Sequence, residues 1–382
     1  MKILYFMNHA DQGGAALALY DLIVELKKKE DLKIIVITGK KNELNKMLTD
    51  IDIENYNANF KNFMSSEKRP KWIWKILFRL RHDLSFYIAR RKIEKVIDFS
   101  TIDIIHSNLN RIDIGAYFAK KYNKKHVWHI REHAKGDFEL IPIYKNYISY
   151  MNSFDSNFVA ISKSVMNVWC KRGIKKNNIK LIYDGVKVNK FPQKSDKSKE
   201  CLKIIFMGGY NGNKGQEYLI DAIAALDKEI INCISIDFYG SGLKEKRQYL
   251  EEKIRSNKLE KVITLNNYNS NIQSKISEYD VGINCSTMEG FGRVTVEYMM
   301  AGLCVIASNQ GANTELITDK ESGLLYNYGD KMDLANKIKY IYNNLEKCKL
   351  MGKAAQRRAV ENFSIETHAK NIYHLYQELI NK

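Results

Sequence analysis

Two glutamates frame the part of the sequence that is best suited to chemistry. In STMEGFGRVTVEYMMAGLCVIASNQGANTELI, Glu289 and Glu297 are eight residues apart, and Gly290–Gly292 and Arg293 lie between them. A carboxylate offers about four lone-pair sites that can accept hydrogen bonds from vicinal hydroxyls. We expect one carboxylate to bind a sugar at a helix start and the other a more deeply placed ribose, about two turns away on a similar face. Arg293 could bind phosphate or pair with either glutamate, and the alternative is a solvated helix face.

A glycine-rich segment, MGGYNGNKG, provides a second candidate site. It follows the apolar run KIIF and contains Gly208, Gly209, Gly212 and Gly215 around Lys214. Glycines let backbone N–H groups approach an anion, and a lysine can place its ammonium on a diphosphate. The spacing differs from that of a Walker motif, so the segment is either a phosphate cradle or a tight turn.

The N-terminal half carries two further candidates. Gly13 and Gly14 follow the first apolar run and precede a helical pattern, without the full G-x-G-x-x-G dinucleotide fingerprint, so a tight turn of small residues is the alternative. The segment HVWHIREH brings His129 and His133 to the end of another predicted strand. Each histidine is either functional or a hydrogen-bonded histidine near the wall of the cleft. The cluster lacks the well-defined set of ligands that a metal site would need.

The elements that position these residues alternate between short β-rich runs and longer helical patterns. Such alternation predicts an α/β fold with parallel sheets covered by helices on both faces, and function in the strand-to-helix loops. The pattern restarts after the polar stretch PQKSDKSKE. We therefore predict two Rossmann-like domains over residues 1–186 and 201–363, a linker over residues 187–200, and a C-terminal helix over residues 364–382 that packs back toward the N-terminal domain.

The composition and net charge of the chain limit the classes of protein to which it can belong. The chain has 382 residues, of which 45% are hydrophobic and 27% charged, and a formal net charge of +17. No run of about eighteen apolar residues is present to span a bilayer. The first residues read as a buried strand without a cleavage site, so we expect a cytoplasmic protein. The basic charge attracts phosphate-rich partners, which are nucleic acid, anionic lipid or nucleotide-linked substrates. Net charge alone does not distinguish among these three.

These motifs resemble those of the retaining glycosyltransferases of family 4, also named glycosyl transferases group 1, which have the GT-B fold. The similarity is strongest from Lys203 to Gly323, where MGGYNGNKG, Asp280, the EGFG…E pair, GLCVIAS and Glu315 follow the family order. The resemblance implies two doubly wound parallel-sheet domains that face a central cleft. It also implies transfer of a sugar from a nucleoside diphosphate to an acceptor hydroxyl, with retention of configuration and without a metal cofactor.

The resemblance also implies residue roles. Glu289 would contact the transferred sugar, Glu297 the donor ribose and Lys214 the diphosphate, and His129 or His133 would reach the sugar or acceptor. The full predicted sets are Glu289, His129 and His133 for catalysis, and Gly14, Gly209, Lys214, Glu289, Gly290, Phe291, Gly292, Arg293, Val294 and Glu297 for donor binding.

Two positions depart from the family pattern. Gly209 stands where relatives commonly carry an arginine, and Arg293 is the proposed substitute. Asp184, in LIYDGVKV, stands where an asparagine is usual, so no role is carried over from the family to this position.

The expected partners follow from the same reasoning. The acceptor is predicted to be lipid-linked or an oligosaccharide, in bacterial surface polysaccharide assembly (capsule, O-antigen or exopolysaccharide). Residues 60–96 carry eleven Lys and Arg, three acids and interleaved aromatics. This segment either lies on an anionic membrane, at the inner face of the cell membrane, or packs on its own domain.

The alternative functions are a sugar-nucleotide epimerase or phosphorylase on the same fold, and a nucleic-acid-binding protein, for which no recognition module is evident.

Overall fold

The chain forms two compact units in a computed structural model that describes residues 1–8, 13–65, 72–133, 141–188, 201–269 and 271–381. The N-terminal unit comprises Met1–Gly185 together with Ile365–Lys382, and the C-terminal unit comprises Val186–Ser364. Most of the predicted linker, residues 189–200, lies outside the described residues.

The N-terminal unit alternates strands and helices along the chain. Its elements are β1 (Lys2–Met7), α1 (Gly14–Leu26), β2 (Lys33–Thr38), α2 (Glu43–Asp50), β3 (Glu54–Asn57), β4 (Met64–Ser65), α3 (Trp72–Val96), β5 (Ile104–Ser107), α4 (Ile114–Lys121), β6 (Lys125–Ile130), β7 (Ile141–Pro142), α5 (Tyr147–Asn152), β8 (Ser156–Ala160), α6 (Lys163–Arg172) and β9 (Ile179–Leu181).

The C-terminal unit repeats this alternation. Its elements are β10 (Leu202–Met207), α7 (Gln216–Ala224), α8 (Lys228–Asn232), β11 (Ile234–Gly240), α9 (Lys244–Ser256), β12 (Ile263–Asn267), β13 (Val281–Asn284), α10 (Arg293–Met300), β14 (Cys304–Ser308), α11 (Asn313–Leu316), β15 (Leu324–Tyr326), α12 (Lys331–Asn343) and α13 (Leu345–Phe363). The last helix, α14 (Ile365–Ile380), belongs to the N-terminal unit and packs against α1.

Each unit is built on one parallel sheet. The seven-stranded sheet has the order β3-β2-β1-β5-β6-β8-β9, and the six-stranded sheet has the order β12-β11-β10-β13-β14-β15. All the strand pairs within these two sheets are parallel. Both orders are those of a doubly wound Rossmann-like sheet, whose first and fourth long strands are neighbours. The prediction of two such domains is confirmed.

The central strands are apolar along nearly their whole length because helices cover both faces of each sheet. In β1, Ile3, Leu4, Tyr5 and Phe6 are fully buried. Polar side chains that enter these interiors therefore need partners within the protein.

One such set of polar groups ties α14 to the N-terminal sheet. The Tyr376 hydroxyl lies 2.6 Å from Nδ1 of His106 on β5 and is also hydrogen-bonded to the Tyr5 hydroxyl on β1. All three side chains are fully buried, and burial raises the pKa of both tyrosines. The C-terminal helix is thus attached to the sheet by specific hydrogen bonds as well as by apolar packing.

Helix α3 is 25 residues long and carries charged residues throughout. Among the residues that the structure describes, none of the helices combines the length and the apolar composition needed to cross a bilayer.

Replacing Tyr376 with phenylalanine tests the role of this attachment. Tyr376→Phe should lower the free energy of unfolding of the N-terminal unit by about 1–3 kcal/mol, because it leaves two buried polar groups without their partner. Tyr373→Phe is the matched control on the same helix, since it removes a surface hydrogen bond to Asp31. Chemical denaturation followed by circular dichroism measures both, and equal effects of the two substitutions would contradict the assigned role.

Candidate active site

Two loops of the C-terminal unit leave the sheet at the point where the strand order reverses. β10 and β13 are neighbours, with β11 and β12 on one side and β14 and β15 on the other. Because the strands are parallel, their carboxyl ends share one edge, and loops that diverge there leave a crevice that suits a ligand. The loops after β10 and β13 cover residues 208–215 and 285–292. They hold most of the residues that were predicted to bind the donor.

An ion pair joins these two loops. Lys214 Nζ donates a hydrogen bond of 2.8 Å to Glu289 Oε1, and the side chains are 34% and 14% exposed, respectively. Burial by itself raises the pKa of the Glu289 carboxyl. The charge of Lys214 and hydrogen bonds involving Lys214, Ser286 and Asn284 outweigh burial, so the pKa lies below its usual value. Glu289 is therefore ionised at neutral pH and acts only as a hydrogen-bond acceptor.

Gly215 sets how closely the two loops approach. It ends the loop after β10 with φ of +78°, and a Cβ at this position would lie 2.3 Å from the carbonyl oxygen of Cys285. A residue with a side chain would push the loops apart. The next residue, Gln216, donates through Nε2 to the carbonyl oxygens of Gly208 and Gly209, each at 3.1 Å. The glycine loop is thus a closed turn that packs on the loop after β13.

The backbone of Glu289 is held from the other side by the loop after β14. Ala312 N donates to Glu289 O at 2.9 Å. Gly311 has φ of +58°, and a Cβ there would lie 2.5 Å from the same oxygen. Glu289 therefore sits between the loops that follow β10 and β14, and its carboxylate has a defined position.

A buried polar network supports this loop from below. Its members are at most 5% exposed and are Asn284, Ser286, Thr295, Ser308 and Asn313. Asn284 Nδ2 donates to Thr295 Oγ1 at 2.8 Å, and Thr295 donates to Asn313 Oδ1 at 3.0 Å. Ser308 donates to the carbonyl oxygen of Ser286 at 2.8 Å. The network connects the ends of β13 and β14 with the helices α10 and α11, and thus fixes the segment that presents Glu289.

The predicted backbone donors lie at the start of α10. Gly290, Phe291 and Gly292 complete the loop, and Arg293 and Val294 are the first two residues of the helix. The first N–H groups of a helix have no intrahelical acceptor and carry partial positive charge, so they suit an anion. These N–H groups follow Glu289 directly in the chain.

The relation between the two glutamates differs from the prediction. Glu289 precedes α10, which begins at Arg293, whereas Glu297 lies inside the helix. The prediction that both carboxylates share a helix face is wrong, because the glycines between them form an irregular turn. Glu297 Oε1 accepts a hydrogen bond of 3.3 Å from Nε2 of Gln273, which lies beyond β12.

The glycine loop has a cation that the sequence did not single out. A Cβ on Gly212 would lie 4.0 Å from Nζ of Lys246, in the first turn of α9. Gly209, where an arginine was expected, has the side-chain amide of Asn211 beside it, with Nδ2 3.1 Å from the position of a Cβ. Lys246 thus stands beside the loop as a second cation, in addition to Lys214.

In the N-terminal unit, the predicted loop is described only in part. Gly14 is the first residue of α1, and residues 9–12 lie outside the described residues. Gly13, the residue before the helix, has an extended backbone and provides no side-chain cap.

The two predicted histidines are both buried. His129 Nδ1 lies 3.2 Å from His106 Nε2, and His133 Nε2 lies 2.9 Å from Ser164 Oγ. Burial, followed by the charge of Arg131, holds the pKa of His129 well below its usual value, so the ring is neutral. Among the described residues, His129 Nε2 has no hydrogen-bond partner. The structure places His129 in the interior of the N-terminal unit, and its contact with a substrate stays a prediction.

The structure explains why an aspartate occupies position 184. Its Oδ2 accepts a hydrogen bond of 2.8 Å from Arg131, and both side chains are 4% exposed. Asn108 Oδ1 also accepts from Arg131, at 3.1 and 3.2 Å. A buried guanidinium needs a compensating charge, and an aspartate at this position supplies the negative charge that an asparagine lacks.

Several residues around the candidate site were missed. Gln216 and the members of the polar network are uncharged and are not glycines, so the criteria of charge and glycine spacing do not select them. One signal was available, since Asn284 and Ser308 are polar ends of otherwise apolar strands and parallel strands bring such ends to one edge.

The C-terminal unit matches a known family. Residues 187–358 match the family model described as "Glycosyl transferases group 1". EpsD of Bacillus subtilis (strain 168), which carries the name of a glycosyltransferase, is 26% identical over 76% of this chain and 81% of its own length. The capsular polysaccharide biosynthesis glycosyltransferase CapH of Staphylococcus aureus is 22% identical over 83% of each chain.

A solved structure extends the similarity to both units. HepE of Anabaena, in complex with UDP and glucose, aligns with a TM-score of 0.79 and 20% identity over 99% of this chain and 100% of its own. At this identity the likeness concerns the fold. The predicted GT-B fold class is confirmed.

The closeness of the two loops can be tested at Gly215. Gly215→Ala should destabilise the C-terminal unit by about 1–2 kcal/mol for the left-handed backbone and about 1–3 kcal/mol more for the overlap with Cys285. Gly329→Ala is the matched control, because Gly329 has φ of +84° and nothing within 4 Å of a Cβ. Denaturant unfolding measures both variants, and equal losses would show that the loops do not press together at Gly215.

Proposed function

We propose that the C-terminal unit of this glycosyltransferase, whose residues 187–358 match the group 1 glycosyl transferase model, holds a nucleoside-diphosphate sugar between the loops after β10 and β13. The Lys214–Glu289 pair at the switch point of the sheet is the observation that carries this proposal. The name of the aligned Anabaena structure, a complex with UDP and glucose, supports it.

The pair provides one charge of each sign for the two ends of such a donor. The Lys214 ammonium is the group for the diphosphate, together with the N–H groups at the start of α10 and with Lys246 or Arg293 as a second cation. A diphosphate carries more negative charge than a carboxylate and competes with Glu289 for Lys214. Glu289 then accepts hydrogen bonds from the hydroxyls of the sugar.

Glu297 is proposed to bind the ribose of the donor. It lies one turn inside α10, and Gln273 approaches its carboxylate from the loop after β12. An ionised carboxylate can accept hydrogen bonds from the two vicinal ribose hydroxyls.

The proposed reaction retains the anomeric configuration. The bond between the anomeric carbon and the diphosphate oxygen breaks, and its electron pair leaves with the diphosphate. The acceptor oxygen bonds to the anomeric carbon on the same face and gives its proton to the departing phosphate oxygen. The cations and the start of α10 stabilise the charge on the leaving group, so no metal ion is required.

The proposed acceptor is a lipid-linked or oligosaccharide hydroxyl in the assembly of a bacterial surface polysaccharide, at the inner face of the cell membrane. The name of CapH, a capsular polysaccharide biosynthesis glycosyltransferase, supports this assignment. His129 or His133 is proposed to contact the sugar or the acceptor.

Substitution of the two glutamates separates their roles. Glu297→Gln should raise the KM for the donor by about tenfold or more, because it weakens charged hydrogen bonds to the ribose. Glu289→Gln should mainly lower kcat, by about 10²–10³-fold. Glu321→Gln, at an exposed carboxylate of the same unit, is the control. Initial rates are measured with the UDP-, GDP- or ADP-sugar that the wild type uses.

Turnover by both glutamate variants at the rate of the control would contradict the site assignment. Nuclear magnetic resonance of the product tests the stereochemistry, since an inverted anomeric configuration relative to the donor would contradict the proposed reaction.

A further inference from the structure

Helix α3 exposes a continuous row of large apolar side chains. They are between 41% and 63% exposed and are Ile76, Leu77, Leu80, Leu84, Tyr87 and Ile88, called here the α3 stripe. At about 100° per residue, they fall within an arc of about 120° on one side of the helix. Single exposed apolar residues are common on protein surfaces, whereas a contiguous apolar patch marks an interaction site.

The stripe is distinct from the face that packs on the N-terminal unit. His82, Ala89 and Ile93 lie on the opposite side of α3 and are at most 1% exposed. The helix is therefore apolar on two sides, of which folding uses one. Packing on its own domain explains the buried side and leaves the α3 stripe unexplained.

Basic residues border the stripe on both sides. Arg79 and Arg90 flank it on one side, Arg81 and Lys92 on the other. Of the two acids of α3, Glu94 is paired with Lys121, and Asp83 lies 3.0 Å from His82 and 3.7 Å from Arg79.

The positive charge next to the stripe is largely uncompensated. Within the described parts of the chain, no carboxylate forms an ion pair with Arg81, Lys92 or Lys95. An apolar face between cations that mostly lack a carboxylate partner complements a surface that presents negative headgroups above hydrocarbon.

We propose that the α3 stripe docks the N-terminal unit on an anionic lipid bilayer, with the apolar side chains at the level of the acyl-chain boundary and the flanking cations among the headgroups. A symmetric dimer through the same stripe would place the two sets of cations against each other, which disfavours a second copy as the occupant. Docking rests on this surface alone. It gives the proposed transfer to a lipid-linked acceptor a physical setting, but it does not depend on that transfer.

Vesicle flotation of the full chain, without substrate, tests the docking surface. Wild type should float with vesicles of phosphatidylcholine and phosphatidylglycerol, and less with phosphatidylcholine alone or at high salt. The double variant Leu80→Ser and Leu84→Ser should reduce binding by about tenfold or more. The matched control replaces Leu243 and Leu350, each 64% exposed, by serine in the C-terminal unit, and it should bind as wild type.

Charge reversal provides the second arm of the test. Arg81→Glu with Lys92→Glu should reduce binding to the anionic vesicles, whereas Lys261→Glu with Lys353→Glu, at exposed sites of the C-terminal unit, should have little effect. Lys214→Ala should float as wild type, so a failure of the donor site is distinguishable from a failure of docking.

Three results would overturn the proposal. The first is wild type that stays unbound to the anionic vesicles, and the second is binding that the serine variant retains. The third is self-association that the serine variant removes while vesicle binding is absent, since it would assign the α3 stripe to a second copy of the chain.

Discussion

The ion pair between Lys214 and Glu289 is the interaction on which the candidate site depends, because it joins the two loops that diverge at the switch point of the C-terminal sheet. Charges that are withdrawn from water need a partner, and removal of one leaves the other poorly solvated. The pair therefore keeps the pKa of the Glu289 carboxyl below its usual value and holds the two loops together when no ligand is bound. The same property prepares them for a ligand that carries phosphate at one end and hydroxyls at the other.

The surrounding fold makes this pair possible by close backbone packing. Gly215 lets the glycine loop reach Cys285, Gly311 lets the loop after β14 reach Glu289, and Thr295 stands in the polar network that connects β13, α10 and α11. In the N-terminal unit, the buried charge of Arg131 is compensated by Asp184, and Asn108 accepts further hydrogen bonds from its guanidinium. In both units, polar groups at the carboxyl edge of the sheet are held by other parts of the fold, which limits the substitutions that they tolerate.

The sequence predicted the long central strands and the glycine loops, because runs such as KIIVIT and ISIDFYG are apolar enough to identify a buried strand. The strands β3, β9 and β15 lie at sheet edges and carry a weaker signal, because β3 has the polar sequence ENYN and the other two have three residues each. Lys214 and Glu289 stood out by charge and spacing. Their direct contact depends on parallel strands that are far apart in the chain. The burial of His129 depends on such long-range packing as well, and a strand pattern alone does not predict it.

The most direct test of the central claim compares the binding of a nucleoside diphosphate with that of its nucleoside, by isothermal titration calorimetry, in wild type, Lys214→Ala and Lys228→Ala. Lys228 is an exposed residue of α8, which precedes β11 and so lies toward the amino edge of the sheet. The account predicts that Lys214→Ala removes most of the affinity that the diphosphate adds over the nucleoside, and that Lys228→Ala keeps it. An unchanged difference in Lys214→Ala would contradict the assignment of the loops after β10 and β13 as the donor site.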